Sequence, residues 1–207
     1  MFPLTIFLLA LASAVTDPVS TAIDSYNNVD SYRVTLRSKN ANSSEVIRYN
    51  YKKPGFVRME FIKPHNGAVL VYNPVKKKAK LRPFGLLKPF ILTLSPDSSL
   101  IKSPTGHRVD ASDIGELLKT VKRLQEMGMT EILGDEAIGE RASVKIKVEG
   151  VNDHTVDGIH RYLLWLDRKT SLPIKASSYD KNGDLIEEVL MDDLETNVEL
   201  PESLFSL

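Results

Sequence analysis

Cysteine is missing from the 207-residue sequence, and neither sign of charge is in excess. Without cysteine the chain can form no disulfide, no thiolate metal site and no thiol nucleophile, and it has no lipobox for a lipid anchor of its own. Lys and Arg together number 27, as do Asp and Glu, so the formal net charge is zero. Because non-specific nucleic-acid binding rests on neutralising phosphates, this balance argues against a nucleic-acid partner.

Recognisable catalytic patterns are also missing. The sequence has no Ser nucleophile elbow, no phosphate-binding glycine loop and no convincing carboxylate pair. The histidines lack the spacing of metal ligands, such as two residues one helical turn apart, and surface or hydrogen-bonding roles fit them better. We therefore expect a protein that is not an enzyme and that uses no metal or cofactor. The four histidines are His65, His107, His154 and His160.

An apolar segment opens the chain. Met1 to Leu11 are almost wholly apolar, and Ala12 to Ala14 supply small residues at a cleavage spacing. This pattern predicts a secretory signal peptide over residues 1–14, although no Lys or Arg precedes the apolar run. A short membrane anchor and a buried first helix are the alternatives, and the run is well short of the ~20 residues that a spanning helix needs. We expect an exported chain with a single domain over residues 15–207.

Most of the remaining chain alternates apolar and polar residues with a period of two, as half-buried strands do. The first four such segments are separated by short turns and predict an antiparallel meander. They are residues 32–38, 45–51, 57–63 and 68–74. Further segments bring the expected total to about eight strands. These are residues 142–150, 159–167, 174–180 and 185–194.

Two helices accompany the predicted strands. A short one begins at Asp17, with Pro18 in its first turn. A longer one occupies Asp110 to Gly128, with Ser112 as the expected N-cap. Its apolar stripe consists of Ile114, Leu117, Leu118, Val121, Leu124 and Met127. This set of elements favours an α+β fold in which one curved antiparallel sheet wraps around helices.

Two segments resemble the LolA-like proteins. The tail from residue 162 to 205 has that family's sequence of a tryptophan-hydrophobe-aspartate, a turn, Leu-Pro, a glycine turn and a final proline and phenylalanine. The segment "YKKPGFVRMEFIKPHNGAVLVYNP", residues 51–74, resembles the family's basic-residue-proline turn, aromatic strand and "YNP" turn. The matching tail residues are Trp165, Leu166, Asp167, Leu172, Pro173, Gly183, Pro201 and Phe205.

This resemblance implies an incomplete antiparallel β-barrel with a helical lid and an apolar cavity for the acyl chains of lipids or lipoproteins. It implies a monomeric periplasmic carrier that delivers its ligand to the outer membrane, together with an inner- or outer-membrane partner protein. The alternative is an envelope sensor or regulatory module that binds lipid or lipoprotein and signals to a membrane partner. It further implies that Lys53, in the basic-proline turn, lies near the lid.

The inward halves of the strands supply the expected cavity wall. The resemblance maps Val57 and Met59 onto the cavity side, which is also where the period-two pattern places them. The predicted lipid-binding residues are Ile47, Tyr49, Val57, Met59, Phe61, Leu70 and Leu164.

The stretch "FGLLKPFILTLSP", residues 84–96, follows a basic run and shows no alternation. One interpretation makes it a lid or rim over the cavity, with Phe84, Leu86, Leu87 and Phe90 as apolar contacts and the neighbouring lysines facing anionic headgroups. The other interpretation is a buried core strand, "FILTL", beside a solvated basic turn. The sequence alone favours neither.

Overall fold

The computed structural model describes residues 16–207, so the predicted signal peptide lies outside the described part of the chain. Residues 16–207 form two α-helices and eleven strands. The helices are α1 (Pro18–Asn27) and α2 (Ile114–Glu126). The strands are β1 (Ser31–Lys39), β2 (Ser44–Lys52), β3 (Phe56–Lys63), β4 (Val69–Asn73), β5 (Lys78–Arg82), β6 (Leu92–Leu94), β7 (Gly128–Ile138), β8 (Arg141–Gly150), β9 (Arg161–Asp167), β10 (Pro173–Tyr179) and β11 (Leu185–Thr196).

All eleven strands form one antiparallel sheet in the order β6-β5-β4-β3-β2-β1-β11-β10-β9-β8-β7. Every neighbour in this order is also a neighbour in sequence, except β1 and β11. That pair joins the two halves of the chain at the centre of the sheet, with Leu36 opposite Met191. Strands β6 and β7 lie at the two edges and do not pair, so the barrel is open. This architecture confirms the predicted α+β fold of an incomplete antiparallel barrel with helices.

The two helices are capped and joined to each other by polar contacts. Asp17 caps α1 by accepting hydrogen bonds from the backbone amides of Val19 and Ser20, both at 3.2 Å. Asp113 caps α2 by accepting from the Gly115 amide at 2.7 Å, and it also accepts from the Tyr26 hydroxyl at 2.7 Å. These contacts fix the two helices as one unit.

The expected N-cap of the second helix was wrong by one residue. Ser112 lies just outside α2, where its hydroxyl donates to the carbonyl oxygen of Val109 at 2.9 Å. Asp113 takes the capping position instead, because its carboxylate reaches a free amide in the first turn of the helix. Either residue type suits an N-cap, so the sequence did not distinguish them.

The packed core lies between the helices and the concave face of the sheet. The apolar stripe of α2 is buried there through Leu118, Val121 and Leu124, and it packs against β7 and β8. Tyr32 on β1 accepts a hydrogen bond from the first amide of α2 at 3.2 Å. Within residues 16–207, no helix is both long enough and apolar enough to cross a membrane.

β5 and β7 were not predicted from the sequence, and β6 lies within the "FILTL" stretch that one of the two interpretations made a buried strand. β5 and β6 fall in the basic and apolar segments, where only Ala79 is fully buried and alternation is weak. β7 follows α2 directly and forms an edge of the sheet with most of its side chains exposed. A register shift between Ile132 and Gly134 further breaks its pattern. Edge strands with two solvated faces carry little period-two signal.

Candidate functional site

A cavity of about 1000 Å³ lies on the concave face of the sheet, beside the helices. Its wall comes from β1 to β5, β10 and β11, and α2 and residues 100–113 close it from the other side. The volume is at the upper end of the ~300–1000 Å³ that is usual for ligand pockets. Its apolar wall residues include Val34, Leu36, Ile47, Met59, Phe61, Leu70, Leu81, Ile101, Leu117, Ile186, Val189 and Met191.

Five of the seven predicted lipid-binding residues lie on this wall. They are Ile47, Tyr49, Met59, Phe61 and Leu70. In the strand registers Tyr49 is opposite Met59, and Met59 is opposite Leu70, so the three side chains form a continuous band across β2, β3 and β4. Whether these residues bind lipid stays a prediction.

The other two predicted residues are placed differently. Val57 and Leu164 face the concave side of the sheet, but they are buried in the packed core and do not line the cavity. Leu164 lies opposite Ile146 on β8, where helix α2 covers the sheet. Alternation assigned the correct face to both residues, but it did not say which part of that face the helices fill.

The part of the wall formed by β11 was not predicted from the sequence. Ile186, Glu187 and Val189 all line the cavity, which strict alternation does not allow. A register shift in the pairing of β10 and β11, next to Glu187, explains this departure. Glu187 has the same phase as Val189 and Met191, and the extra residue of the bulge, Ile186, is the one that departs from alternation. No local sequence signal marks the position of this bulge.

One end of the cavity is polar because Glu187 faces His107. The His107 Nε2 atom lies 3.4 Å from a Glu187 carboxylate oxygen, and the Ser38 hydroxyl donates to the other oxygen at 2.5 Å. The hydrogen bond to Glu187 raises the pKa of His107. Burial would raise the pKa of Glu187, but the hydrogen bonds from His107 and Ser38 outweigh it and lower that pKa. Burial, with the charge of Glu187, raises the pKa of the nearby Glu45 carboxyl.

His107 ties a loop to the sheet at this polar end. The loop folds back on itself, with the Ser103 amide donating to the His107 carbonyl oxygen at 2.9 Å and the His107 amide donating to the Ser103 hydroxyl at 2.9 Å. The His107 side chain is 51% exposed and that of Glu187 is 14% exposed, so the pair marks the boundary between cavity and solvent. No local pattern indicates this role, because His107 and Glu187 are 80 positions apart.

The segment from residue 84 to 93 is exposed throughout, so the buried core strand is a wrong interpretation of it. Phe84 lines the cavity mouth and stacks on His65, with ring centroids 5.0 Å apart. Leu86, Leu87 and Phe90 project into solvent and do not line the cavity. The lid or rim role of these residues stays a prediction.

Lys53 lies at the opposite end of the sheet from Phe84. Its side chain donates to the carbonyl oxygen of Asn27 at 2.9 Å, where α1 ends, and its Nζ atom is 3.7 Å from the Asp30 carboxylate. Lys53 precedes β3, whereas His65, the partner of Phe84, follows it. The predicted lid or rim residues are therefore not one cluster, and Lys53 contacts a helix end.

The polar side chains do not converge on a metal site. Among residues 16–207, no three His, Asp or Glu side chains are arranged to bind a metal ion. The polar end of the cavity can instead accept and donate hydrogen bonds, while the rest of the wall can bury hydrocarbon.

Several solved structures have a similar fold. The lipoprotein LppX of Mycobacterium tuberculosis matches with a TM-score of 0.56 at 11% identity, over 89% of this chain and 95% of that one. An uncharacterized conserved protein from Thermus thermophilus matches with a TM-score of 0.55 at 11% identity, over 91% and 90%. A chain of the Pseudomonas aeruginosa MucA/MucB complex matches with a TM-score of 0.53 at 17% identity, over 92% of this chain and 60% of that one.

These matches confirm the fold that the sequence resemblance implied. A comparison with curated proteins finds no match. A family model described as "Protein of unknown function (DUF1571)" matches residues 29–207, and the chain therefore belongs to that family.

Proposed function

We propose that this protein is an exported periplasmic carrier that holds acyl chains of a lipid or lipoprotein in the cavity and delivers them to the outer membrane. The observation that carries the proposal is the hollow of about 1000 Å³, with a mostly apolar wall, that the protein's own side chains leave unfilled. Large apolar cavities are costly to keep without an occupant, because the lining atoms lose their packing partners.

The size of the hydrophobic effect supports an acyl chain as the occupant. Each buried methylene contributes about 0.8 kcal/mol, so a chain of roughly 16 carbons gains on the order of 10 kcal/mol when it is fully buried. A carrier must release its ligand, so partial burial suits it better than complete enclosure. The cavity meets this need because its mouth, near Phe84 and His107, borders solvent.

A sensor that binds the same ligand and signals to a membrane protein is the second candidate. The fold similarity to MucB, whose structure is that of a complex with MucA, favours it. The two candidates differ in transfer. A carrier moves a labelled lipid from donor to acceptor vesicles, whereas a sensor retains the lipid and changes its affinity for a partner.

The proposal is tested by titrating the protein with a fluorescent 16-carbon fatty acid. Val189→Trp places a bulky side chain in the hollow, and Leu190→Trp makes the same change at the next position of β11, which does not line the cavity. We expect Val189→Trp to weaken probe binding at least about tenfold, a change of about 1.4 kcal/mol, while Leu190→Trp binds like the wild type.

Circular dichroism of both variants serves as the folding control. A wild-type protein that binds no acyl probe, or a folded Val189→Trp variant that binds as well as the wild type, would refute the proposal.

A further inference from the structure

The loop between β5 and β6 exposes an unusual amount of apolar surface. Leu86 is 97% exposed, Phe90 is 62% exposed and Leu87 is 59% exposed. Phe84 and Ile91 lie in the same loop and are also exposed. Residues 84–91, the apolar loop, form a contiguous stretch rather than scattered single side chains. Such a stretch marks a surface for a partner or a membrane.

The charge around the apolar loop has one sign. Residues 61–96 contain seven Lys and Arg residues and no Asp or Glu, although the whole chain is neutral. Within the part of the chain that the structure describes, none of these seven side chains forms an ion pair. Many other basic residues, such as Arg141 with Asp167, are paired. Lys63, Lys80, Arg82 and Lys88 lie in the segments next to the apolar loop, whereas Lys76, Lys77 and Lys78 lie at the β4–β5 turn, at the other end of β5. The apolar loop is therefore accompanied by four unpaired basic side chains.

The backbone holds the apolar loop outward. Gly85 adopts φ +63°, a conformation that favours glycine, and residues 85–87 form a single 3₁₀ turn. Pro83 and Pro89 flank this turn and prevent a regular strand or a longer helix. The side chain of Lys88 lies against Gly67 in the β3–β4 turn. The loop thus presents its leucines at the end of the sheet.

The apolar loop leads directly to the cavity mouth. Pro83 and Phe84 line the cavity where the loop begins, and Phe84 packs on His65 of the neighbouring turn. A surface that combines exposed Leu and Phe side chains with unpaired Lys and Arg is complementary to an anionic bilayer, where acyl chains lie beneath negative headgroups.

We propose that the apolar loop docks this protein on the surface of an anionic phospholipid bilayer, with the cavity mouth facing the headgroups. The leucines and phenylalanines insert at the boundary between headgroups and acyl chains, and the surrounding basic side chains bind lipid phosphates. Docking does not require that the cavity hold a lipid, so it goes beyond the proposed carrier function.

Vesicle flotation tests the docking. The probe is vesicles of phosphatidylglycerol and phosphatidylcholine, compared with vesicles of phosphatidylcholine alone. We expect the wild type to float with the anionic vesicles, and to do so less at about 0.5 M salt, because screening weakens the attraction of exposed charges. No flotation with anionic vesicles at low salt would overturn the proposal.

Matched variants distinguish binding through the apolar loop from non-specific hydrophobic binding to vesicles. Leu86→Ser, Leu87→Ser and Phe90→Ser are combined in one variant, and Met127→Ser, Met129→Ser and Ile132→Ser in another. Both variants remove three exposed apolar side chains, but the second lies at and near β7, the far edge of the sheet. We expect the loop variant to bind anionic vesicles at least about tenfold more weakly and the β7 variant to bind like the wild type. Equal losses in the two variants would overturn the proposal.

Charge is tested in the same way. Lys80→Glu with Lys88→Glu reverses two charges near the loop, and Arg168→Glu with Lys169→Glu makes the same net change in the exposed β9–β10 turn, at the other end of the sheet. We expect only the first pair to reduce flotation, by about tenfold. The Val189→Trp variant, whose cavity is blocked, should float like the wild type. A wild-type protein that floats with anionic vesicles but binds no acyl probe would reject the carrier alone. A wild-type protein that binds the probe but does not float would reject docking alone.

Discussion

The difference between the packed core and the cavity wall leads to a sharp prediction for two similar substitutions. Leu164→Ala removes a side chain that is fully buried between Ile146 on β8 and Ala176 on β10. Such a deletion costs both the transfer free energy of the methyl groups and the cavity left behind, about 3 kcal/mol in total. For a chain of this length, that loss lowers the midpoint of thermal unfolding by roughly 6–12 °C.

Met59→Ala should affect probe binding more than stability, the opposite of Leu164→Ala. Met59 is partly buried and borders the existing hollow, so its removal enlarges that hollow and costs only about 1 kcal/mol of stability. The lost contact with an acyl chain should weaken probe binding about three- to tenfold. Leu164→Ala should leave the probe affinity of the folded protein unchanged.

Urea unfolding and probe titration measure the two effects separately. We expect the urea midpoint of Leu164→Ala to fall with an unchanged slope, because only stability changes. The result that would refute this reasoning is a Leu164→Ala protein with normal stability and weakened probe binding. That outcome would return Leu164 to the cavity wall, where the sequence had placed it.

Two further predictions concern polar contacts. The pKa of His107 is raised above 6.5, so the stability from its contact with Glu187 is fully present below pH 6.5 and is lost as pH rises through the raised value. Because His107 is half exposed, we expect the free energy of unfolding, measured in urea, to fall by only about 0.5–1 kcal/mol as pH rises through the raised pKa. His107→Gln should not show this fall, and an equal fall in both proteins would contradict the prediction. Asp17→Ala removes the cap of α1 and the contact with Lys122 at 3.1 Å. The urea midpoint should therefore fall by the equivalent of about 1–2 kcal/mol of unfolding free energy. Asp24→Ala, on the same helix, should leave the urea midpoint almost unchanged.

Much of the fold could be predicted because most strands separate a core from solvent. In β1, β2 and β8, one face is more buried than the other, and the sequence shows this difference as period-two alternation. β4, β9 and β10 are buried on both faces and were found from their apolar and β-branched residues between turns. β6 and β7 could not be found in this way, since most of their side chains are exposed, and β5 is too short and too basic to show a clear pattern. The central pairing of β1 with β11 was not predicted, because strands so far apart in sequence leave no local signal of their partner.

For the candidate site, the sequence could predict which face of the sheet a residue lies on but not whether it lines the cavity. Alternation indicates the face of the sheet on which Met59 or Leu164 lies, but the boundary between core and cavity depends on where α2 packs, which is a tertiary property. The polar end depends on a loop that brings His107 to Glu187 across 80 positions of sequence, and Ile186 reaches the wall through a bulge in β11. Neither feature has a periodic pattern from which it could be inferred.

The strand registers place the polar pair and the apolar loop at the same end of the sheet. Ser38 and Glu187 lie where β1 ends and β11 begins, and in an antiparallel sheet that end also holds the β3–β4 turn and the end of β5. A lipid that enters from a docked bilayer would therefore meet His107 and Glu187 before the apolar wall. Because Glu187 is already paired and burial favours the neutral form of Glu45, these carboxyl groups present less negative charge to an entering chain than two free carboxylates would. In the proposed docking, hydrocarbon would enter at the end of the molecule that carries the exposed leucines, and Lys53 and the end of α1, at the other end of the sheet, would face away from the membrane.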